Sequence, residues 1–223
     1  MRQLILDLLP ENPPSPANFV AGRNAEAVAA LTAWAAPGVR ESLLLYGEPG
    51  SGKTHLLRAF APVYRDAAAA PDLGNFSPGD SPRVAVDNVE ALSEAGQVAL
   101  FDLFNRLRAA GGALLAASRE PPARLALRED LRTRLSSGLV YRLQPLTDEE
   151  KRAALEAQAV SRALLLPPGA IDYLLSRAAR DMRHLSSILA ALDRYSLERK
   201  RPITLPLLRE VLESAPEPAP AGA

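Results

Sequence analysis

The 223-residue chain has no cysteine and only two histidines, His55 and His184. The first absence removes disulfides, thiolate nucleophiles, iron–sulfur clusters and cysteine-ligated zinc together. The second leaves too few imidazoles for a histidine-rich metal site. An excess of one charge is missing as well, because 26 Lys and Arg balance 26 Asp and Glu. Surfaces that coat DNA or RNA carry a basic excess, so direct DNA contact is expected to be weak or absent, a local patch aside. No uninterrupted apolar run reaches the about 18 residues of a membrane span. The N-terminus, MRQLILDLLPENPP, is broken by Asp7 and has no small-residue cleavage site, so it does not read as a secretory leader. These absences predict a soluble, cytoplasmic protein with no membrane partner.

What is present is enough for a core, since hydrophobic residues make up 48% of the chain. The length allows one domain, or one domain with a small appendage. Four prolines lie between Pro10 and Pro16. Proline fixes φ and pushes its predecessor out of the helical region, so 1–18 is expected to be an extended, flexible segment. The last ten residues, SAPEPAPAGA at 214–223, read as a disordered tail. A stretch rich in Ala, Pro, Gly, Asp and Ser at 67–82 reads as a loop.

Between these segments the pattern alternates. A helix is expected over 25–35 with Asn24 as its N-cap. An apolar strand follows at 42–46, then a helix from 53 into the early sixties. Arg83, Val84, Ala85 and Val86 form a second buried strand ending in Asp87. A helix over 97–110 places Val98, Phe101, Phe104 and Leu107 at spacing three, which predicts its core face. Gly111 and Gly112 turn the chain into a third strand at 113–117, and 141–143 reads as a fourth. Strands alternating with helices predict an α/β fold with a parallel sheet over 19–145.

The composition changes after Pro145. Thr147 and Glu150 match a capping box, and a helical pattern follows to about 163. Pro167 and Pro168 interrupt it. Helices are then expected at 169–178, 182–198 and 205–213, the last with Thr204 as a cap. Residues 146–213 therefore read as a small all-helical module.

One motif carries the chemistry. Gly47, Glu48, Pro49, Gly50, Ser51, Gly52, Lys53 and Thr54 fit the phosphate-loop pattern G-x-x-x-x-G-K-[ST] in full, between an apolar strand and a helix. Glycines let successive N–H groups curl around phosphate oxygens, and the new helix aims its positive end at the same anion. Lys53 would reach the outer phosphates, and the Thr54 hydroxyl would ligate Mg²⁺. His55 reads as a helix-start residue beside the bound nucleotide. Asp87, an acid at the end of a buried strand downstream, suits the Walker-B role of holding Mg²⁺. Asn88 follows it. An amide cannot accept a proton at neutral pH, so general-base help from this position is absent. The combination predicts a chain that binds ADP or ATP and hydrolyses it weakly or not at all. Glu90 could substitute, but reads as a surface residue.

Phosphate loop, Walker-B strand, polar strand tip, arginine and helical lid, in this order, resemble the AAA+ family. Within it the match is to the DnaA/Hda branch. It is carried by Phe19-Val-Ala-Gly-Arg-Asn24, residues 47–55, Phe101-Asp-Leu-Phe-Asn105, Ala117-Ser-Arg-Glu-Pro-Pro122 and Met182-Arg183, and covers about 19–213. The resemblance implies a three-layer P-loop α/β module followed by a helical lid. It places Ser118 as sensor I at the third strand tip and Arg183 as sensor II in the lid. Phe19 and Val20 would line the adenine pocket. Arg134, in Leu131-Arg-Thr-Arg134-Leu, falls at the arginine finger, with Arg132 as its local competitor. The stretch 61–83 is compressed relative to the family, which implies that one edge strand is short or absent.

The chain leaves no segment after the lid for the helix-turn-helix domain of an initiator. With Asn88 beside Asp87, this points toward inactivators of the replication initiator DnaA. Gln3, Leu4, Leu6 and Leu8 resemble the short peptide by which polymerase partners bind the sliding clamp. The resemblance thus implies a monomeric or weakly self-associating regulator near the replisome. It would tether to the DNA-loaded sliding clamp and offer Arg134 to ATP held by DnaA, lowering replication initiation. A DnaC-like helicase loader driven by ATP and a DnaA-like adaptor with other partners stand as alternatives. The loader predicts substantial intrinsic turnover and nucleotide-dependent oligomers.

Overall fold

The structure, a computed structural model, describes residues 13–74, 76, 79, 81–177, 182–199 and 202–214. They divide into two compact units, one over 14–145 and the other from 146 onward.

The first unit is built on a parallel sheet of five strands. These are β1 (Leu43–Tyr46), β2 (Val63–Asp66), β3 (Arg83–Asp87), β4 (Ala113–Ser118) and β5 (Leu139–Arg142), in the order β2-β3-β4-β1-β5. All four strand pairs are parallel. The helices are α1 (Ala25–Trp34), α2 (Lys53–Phe60), α3 (Glu94–Ala109) and α4 (Glu129–Ser136). Because strand side chains alternate between faces, neighbouring leucines of β1 enter different cores. Leu44 joins Val84, Val86, Leu114 and Ala116 under Leu100, Leu103, Phe104 and Leu107 of α3 and Leu131 and Leu135 of α4. Leu43 and Leu45 join Ala85, Leu115 and Ala117 under Leu31 and Trp34 of α1 and Leu56 and Leu57 of α2. Both faces of β1, β3 and β4 are covered, which is why those strands read as continuous apolar runs. This is the three-layer arrangement expected for an α/β P-loop module.

Two expectations change and one helix is added. The edge strand expected to be short or absent in 61–83 is short: β2 is four residues long and half-buried throughout. Its sequence, Val63-Tyr-Arg-Asp66, carries no apolar run. Asn24 precedes α1 but makes no side-chain cap. It is buried instead, and its amide bonds both main-chain groups of Gln144: Nδ2 donates to the carbonyl at 2.9 Å, and the Gln144 N–H donates to Oδ1 at 2.8 Å. The core face of α3 is also rotated. Leu100, Leu103, Phe104 and Leu107 are buried, whereas Val98 is 42% exposed and Phe101 only partly covered. A strict spacing of three drifts around a helix of 3.6 residues per turn, so the first positions of that series swing outward. Helix α4 has no counterpart in the sequence reading; Arg128 at its N-cap makes no capping bond to mark it.

The second unit is helical: α5 (Asp148–Ser161), α6 (Ala170–Arg177), α7 (Met182–Arg199) and α8 (Leu205–Ser214). The Thr147 capping box forms as its sequence demands. Thr147 Oγ1 accepts from the Glu150 N–H at 3.1 Å, and Glu150 Oε2 accepts from the Thr147 N–H at 2.8 Å. Leu155, Leu174, Leu185, Ile188, Leu189 and Leu208 make its own core.

Candidate phosphate-binding site

The site starts where β1 runs into α2. Gly47 has φ +153, and a Cβ there would strike the Leu143 carbonyl. Gly52 has φ +94, a conformation that costs other residues strain, and a Cβ there would lie 2.6 Å from the Phe19 ring. A glycine is therefore needed at both ends of the loop. The backbone bends tightly between them, and at Gly50 an added Cβ would meet nothing within 4 Å. The loop crest is open while its ends are packed.

Lys53, the first residue of α2, is 7% exposed. Its Nζ donates to the carbonyls of Gly47 at 2.6 Å and Glu48 at 3.0 Å. Burial holds its pKa below the usual lysine value, Asp87 and Glu90 oppose that shift, and Arg119 adds to it. Ser51 Oγ is buried without a hydrogen-bond partner among the described residues. The first N–H groups of α2 have no acceptor within the helix. An orphaned hydroxyl, an ammonium held on loop carbonyls and a helix start converge on an open crest. These residues fit a phosphate group.

Asp87 ends β3 and is 1% exposed. Since β3 lies two strands from β1, its carboxylate reaches α2. Oδ2 accepts from the Thr54 hydroxyl at 2.6 Å and from the Tyr64 hydroxyl at 3.1 Å. Oδ1 accepts from the Asn88 N–H at 2.9 Å. Burial, with Asp87 and then Asp66, pushes the Tyr64 hydroxyl well above the usual tyrosine pKa, so it stays a donor. Thr54 and Asp87 are hard oxygen ligands of the kind Mg²⁺ takes. Among the described residues no group of three or more His, Cys, Asp or Glu could hold a metal. An ion here would need phosphate oxygens as well, as Mg²⁺ in nucleotide sites does.

Asn88 adopts φ 52 and ψ 47, a left-handed conformation that asparagine tolerates better than most residues. Its Nδ2 donates to Asp66 Oδ1 at 2.8 Å. Glu90 is not the surface residue that its sequence position suggests. Its side chain is 26% exposed, Oε1 accepts from the Arg119 N–H at 3.2 Å, and Oε2 is buried without a partner among the described residues. Ser118, at the tip of β4, is fully buried, and its hydroxyl donates to the Glu120 carbonyl at 2.7 Å.

Phe19 is half-buried over the loop, its ring 5.4 Å from that of His55, and Val20 beside it in sequence is half-buried too. His55 Nε2 lies 3.1 Å from the Ser15 carbonyl, which ties the chain before Phe19 to α2. Arg134, on α4, is half-buried. Its guanidinium lies 5.8 Å from the Phe101 ring centre and 5.9 Å from that of Phe104. No carboxylate among the described residues pairs with it. Arg132 is half-buried on the same helix. Arg183 is the second residue of α7, exposed, in the other unit. Gln3, Leu4, Leu6 and Leu8 lie outside the described residues. Tyr64 and Asp66 are new to the site. Neither sits in a motif, and only sheet order brings them to Asp87 and Asn88.

Residues 148–212 match the family described as "Hda, lid domain". A protein of uncharacterized function from Haemophilus influenzae is 36% identical over 186 residues, covering 75% of this chain and 80% of the relative. Among solved structures, domain III of the replication initiation protein DnaA from Thermotoga maritima superposes with a TM-score of 0.69. It is 22% identical, over 91% of this chain and 97% of that one. AMPPCP-bound DnaA from Aquifex aeolicus gives 0.64 at 22% identity, over 85% of this chain and 70% of that one. With the phosphate loop, the parallel sheet and the lid each in place, the chain belongs to the DnaA/Hda branch of the AAA+ proteins.

Proposed function

We propose that the protein is a nucleotide-binding regulator that promotes hydrolysis of ATP held by the replication initiator DnaA. Its own site binds ADP or ATP. Gly47, Gly50, Ser51, Gly52 and Lys53 cradle the phosphates, while Thr54 and Asp87 serve Mg²⁺. Bound there, Mg²⁺ would neutralise phosphate charge. Phe19 and Val20 cover the base. Turnover in this site is slow, because Asn88 offers an amide already bonded to Asp66 where an acid would activate water. Bound nucleotide therefore acts as a structural element.

The active group toward DnaA is Arg134. An arginine lent to a neighbour's nucleotide stabilises charge in the transition state, an effect on the order of 10³–10⁵ in rate. The observation that supports this reading is the resting place of that guanidinium. It lies within 6 Å of the Phe101 and Phe104 ring centres at a groove that Glu129 and Asp130 also line, and it forms no ion pair among the described residues, Asp130 being paired with Arg128. Aromatic faces hold a cation weakly enough to release it to a phosphate. Gln3, Leu4, Leu6 and Leu8 provide the tether to the DNA polymerase sliding clamp.

The test mixes clamp loaded on DNA, ATP-bound DnaA and the full chain, and follows ATP turnover. Stimulation is expected from the wild type and its loss from Arg134→Ala. Stimulation that survives this substitution removes the finger. A clamp pull-down comparing the full chain with one lacking residues 1–8 tests the tether, and equal capture overturns it.

A further inference from the structure

The buried carboxylate of Asp87 accepts hydrogen bonds from three places in the chain. Oδ2 takes the Thr54 hydroxyl at 2.6 Å and the Tyr64 hydroxyl at 3.1 Å, and Oδ1 takes the Asn88 N–H at 2.9 Å. A carboxylate offers about four lone-pair sites, so fixed donors already fill most of them. Two of these donors come with the motifs, since Thr54 ends the phosphate loop and Asn88 follows Asp87 in sequence. Tyr64 comes from β2, at the edge of the sheet. Register pairs Tyr64 with Ala85 and Asp66 with Asp87, so strand alternation puts Tyr64 and Asp87 on one face of the sheet. Helix α2, which starts at the phosphate loop, packs on that face through Leu56 and Leu57. Its Arg58 guanidinium lies 4.5 Å from the Tyr64 ring centre. The ring is thus flanked by α2 while its hydroxyl reaches the acid.

We infer that Tyr64 is a positioning residue that satisfies Asp87 without a metal, so that this site binds a nucleoside diphosphate with little dependence on a divalent cation. This rests on the nucleotide-binding reading above. A buried carboxylate beside a phosphate is unfavourable, because like charges repel strongly away from water. A cation relieves that repulsion, and so do hydrogen bonds that draw charge off the carboxylate. Tyr64 acts in two ways. Its donated proton weakens the repulsion that a phosphate meets when no cation is present. It also occupies an Oδ2 lone pair for which a cation would otherwise compete only with Thr54. The first effect strengthens metal-free binding and the second weakens the pull of Asp87 on a cation. Removing the hydroxyl therefore changes the two kinds of binding differently. A residue that merely held β2 against α2 would change both alike.

The experiment measures ADP binding to the full chain by calorimetry, once with Mg²⁺ and once with EDTA, and reads the ratio of the two Kd values. It compares the wild type with Tyr64→Phe, Arg58→Ala, Asp87→Asn and the Tyr64→Phe, Asp87→Asn double variant, each checked for folding by circular dichroism. In the wild type the two Kd values should lie within about tenfold of each other. Tyr64→Phe keeps the ring and removes only the hydroxyl. It should weaken metal-free binding roughly tenfold, the size of one lost hydrogen bond to a charged group, and leave binding with Mg²⁺ unchanged or tighter. Arg58→Ala keeps the hydroxyl but frees the ring, and should move the ratio the same way by less. With Asp87→Asn in place, Tyr64→Phe should add nothing, because the charge it acts through is gone. The inference is overturned if EDTA abolishes wild-type binding, or if Tyr64→Phe weakens both measurements equally. An undiminished effect of Tyr64→Phe on the Asp87→Asn background overturns it as well. A wild type that binds no ADP under either condition overturns the nucleotide-site reading itself, and this inference with it; binding that needs Mg²⁺ overturns this inference alone.

Discussion

Asn88 donates its side-chain amide to Asp66 at 2.8 Å, joining the tips of β3 and β2. The carboxylate and the amide occupy neighbouring strand ends, and Asp66 is the register partner of Asp87. Three polar side chains thus crowd one edge of the site, and only the neutrality of Asn88 keeps a third negative charge out.

Asn88→Asp alone is expected to destabilise the fold by about 1–2 kcal/mol, because a donor becomes a second half-buried carboxylate against Asp66. Urea denaturation measures this. Combining it with Asp66→Asn restores the hydrogen bond with the charge relocated, and stability should return. The swapped protein should also hydrolyse ATP faster than the wild type. A gain on the order of 10²-fold matches the lower range for a placed general base.

Asn24→Ala removes both bonds to the Gln144 backbone. A buried N–H and a carbonyl lose their partner together, at a cost of about 2–3 kcal/mol. A fall in the urea midpoint with unchanged slope is the expected result. An effect near zero would mean that Asn24 is only a weak helix start.

Lys53→Met replaces a buried ammonium with an apolar chain of similar length. Because burial already disfavours the charge, the protein should keep its fold and its melting temperature without nucleotide. The rise in Tm on adding Mg²⁺ and ATP should vanish. Ligand stabilisation follows occupancy, so its persistence would place the nucleotide elsewhere.

Phe101→Ala removes one of the two rings under Arg134. Stimulation of DnaA should fall, though less than in Arg134→Ala, while nucleotide affinity in the protein's own site stays unchanged. Phe101→Tyr keeps an aromatic face and should retain most of the activity. Equal loss in both variants would argue for a docking contact through Phe101 rather than support of the arginine.

The phosphate loop was legible because it is local. Eight contiguous residues set its path, and Gly47 and Gly52 are demanded by positions that any reader of the pattern would assign. The Thr147 capping box was legible for the same reason, as its two partners are three residues apart. Where a partner lay far along the chain, sequence was silent. Asn24 read as a helix cap and instead bonds a residue 120 positions away. Edge strand β2 was expected only as short or absent, and its residues carried no mark because a half-buried strand needs no apolar run, while α3 turned by part of a face because 3.6 is not three. Sequence by itself determined the elements, the loop and the nature of the charges. Sheet order decided which polar groups meet: it set Thr54 on Asp87, Asn88 on Asp66 and Glu90 on the Arg119 N–H. Such contacts depend on which strands pair, and pairing is settled by burying both faces of the sheet at once, a property no single segment carries.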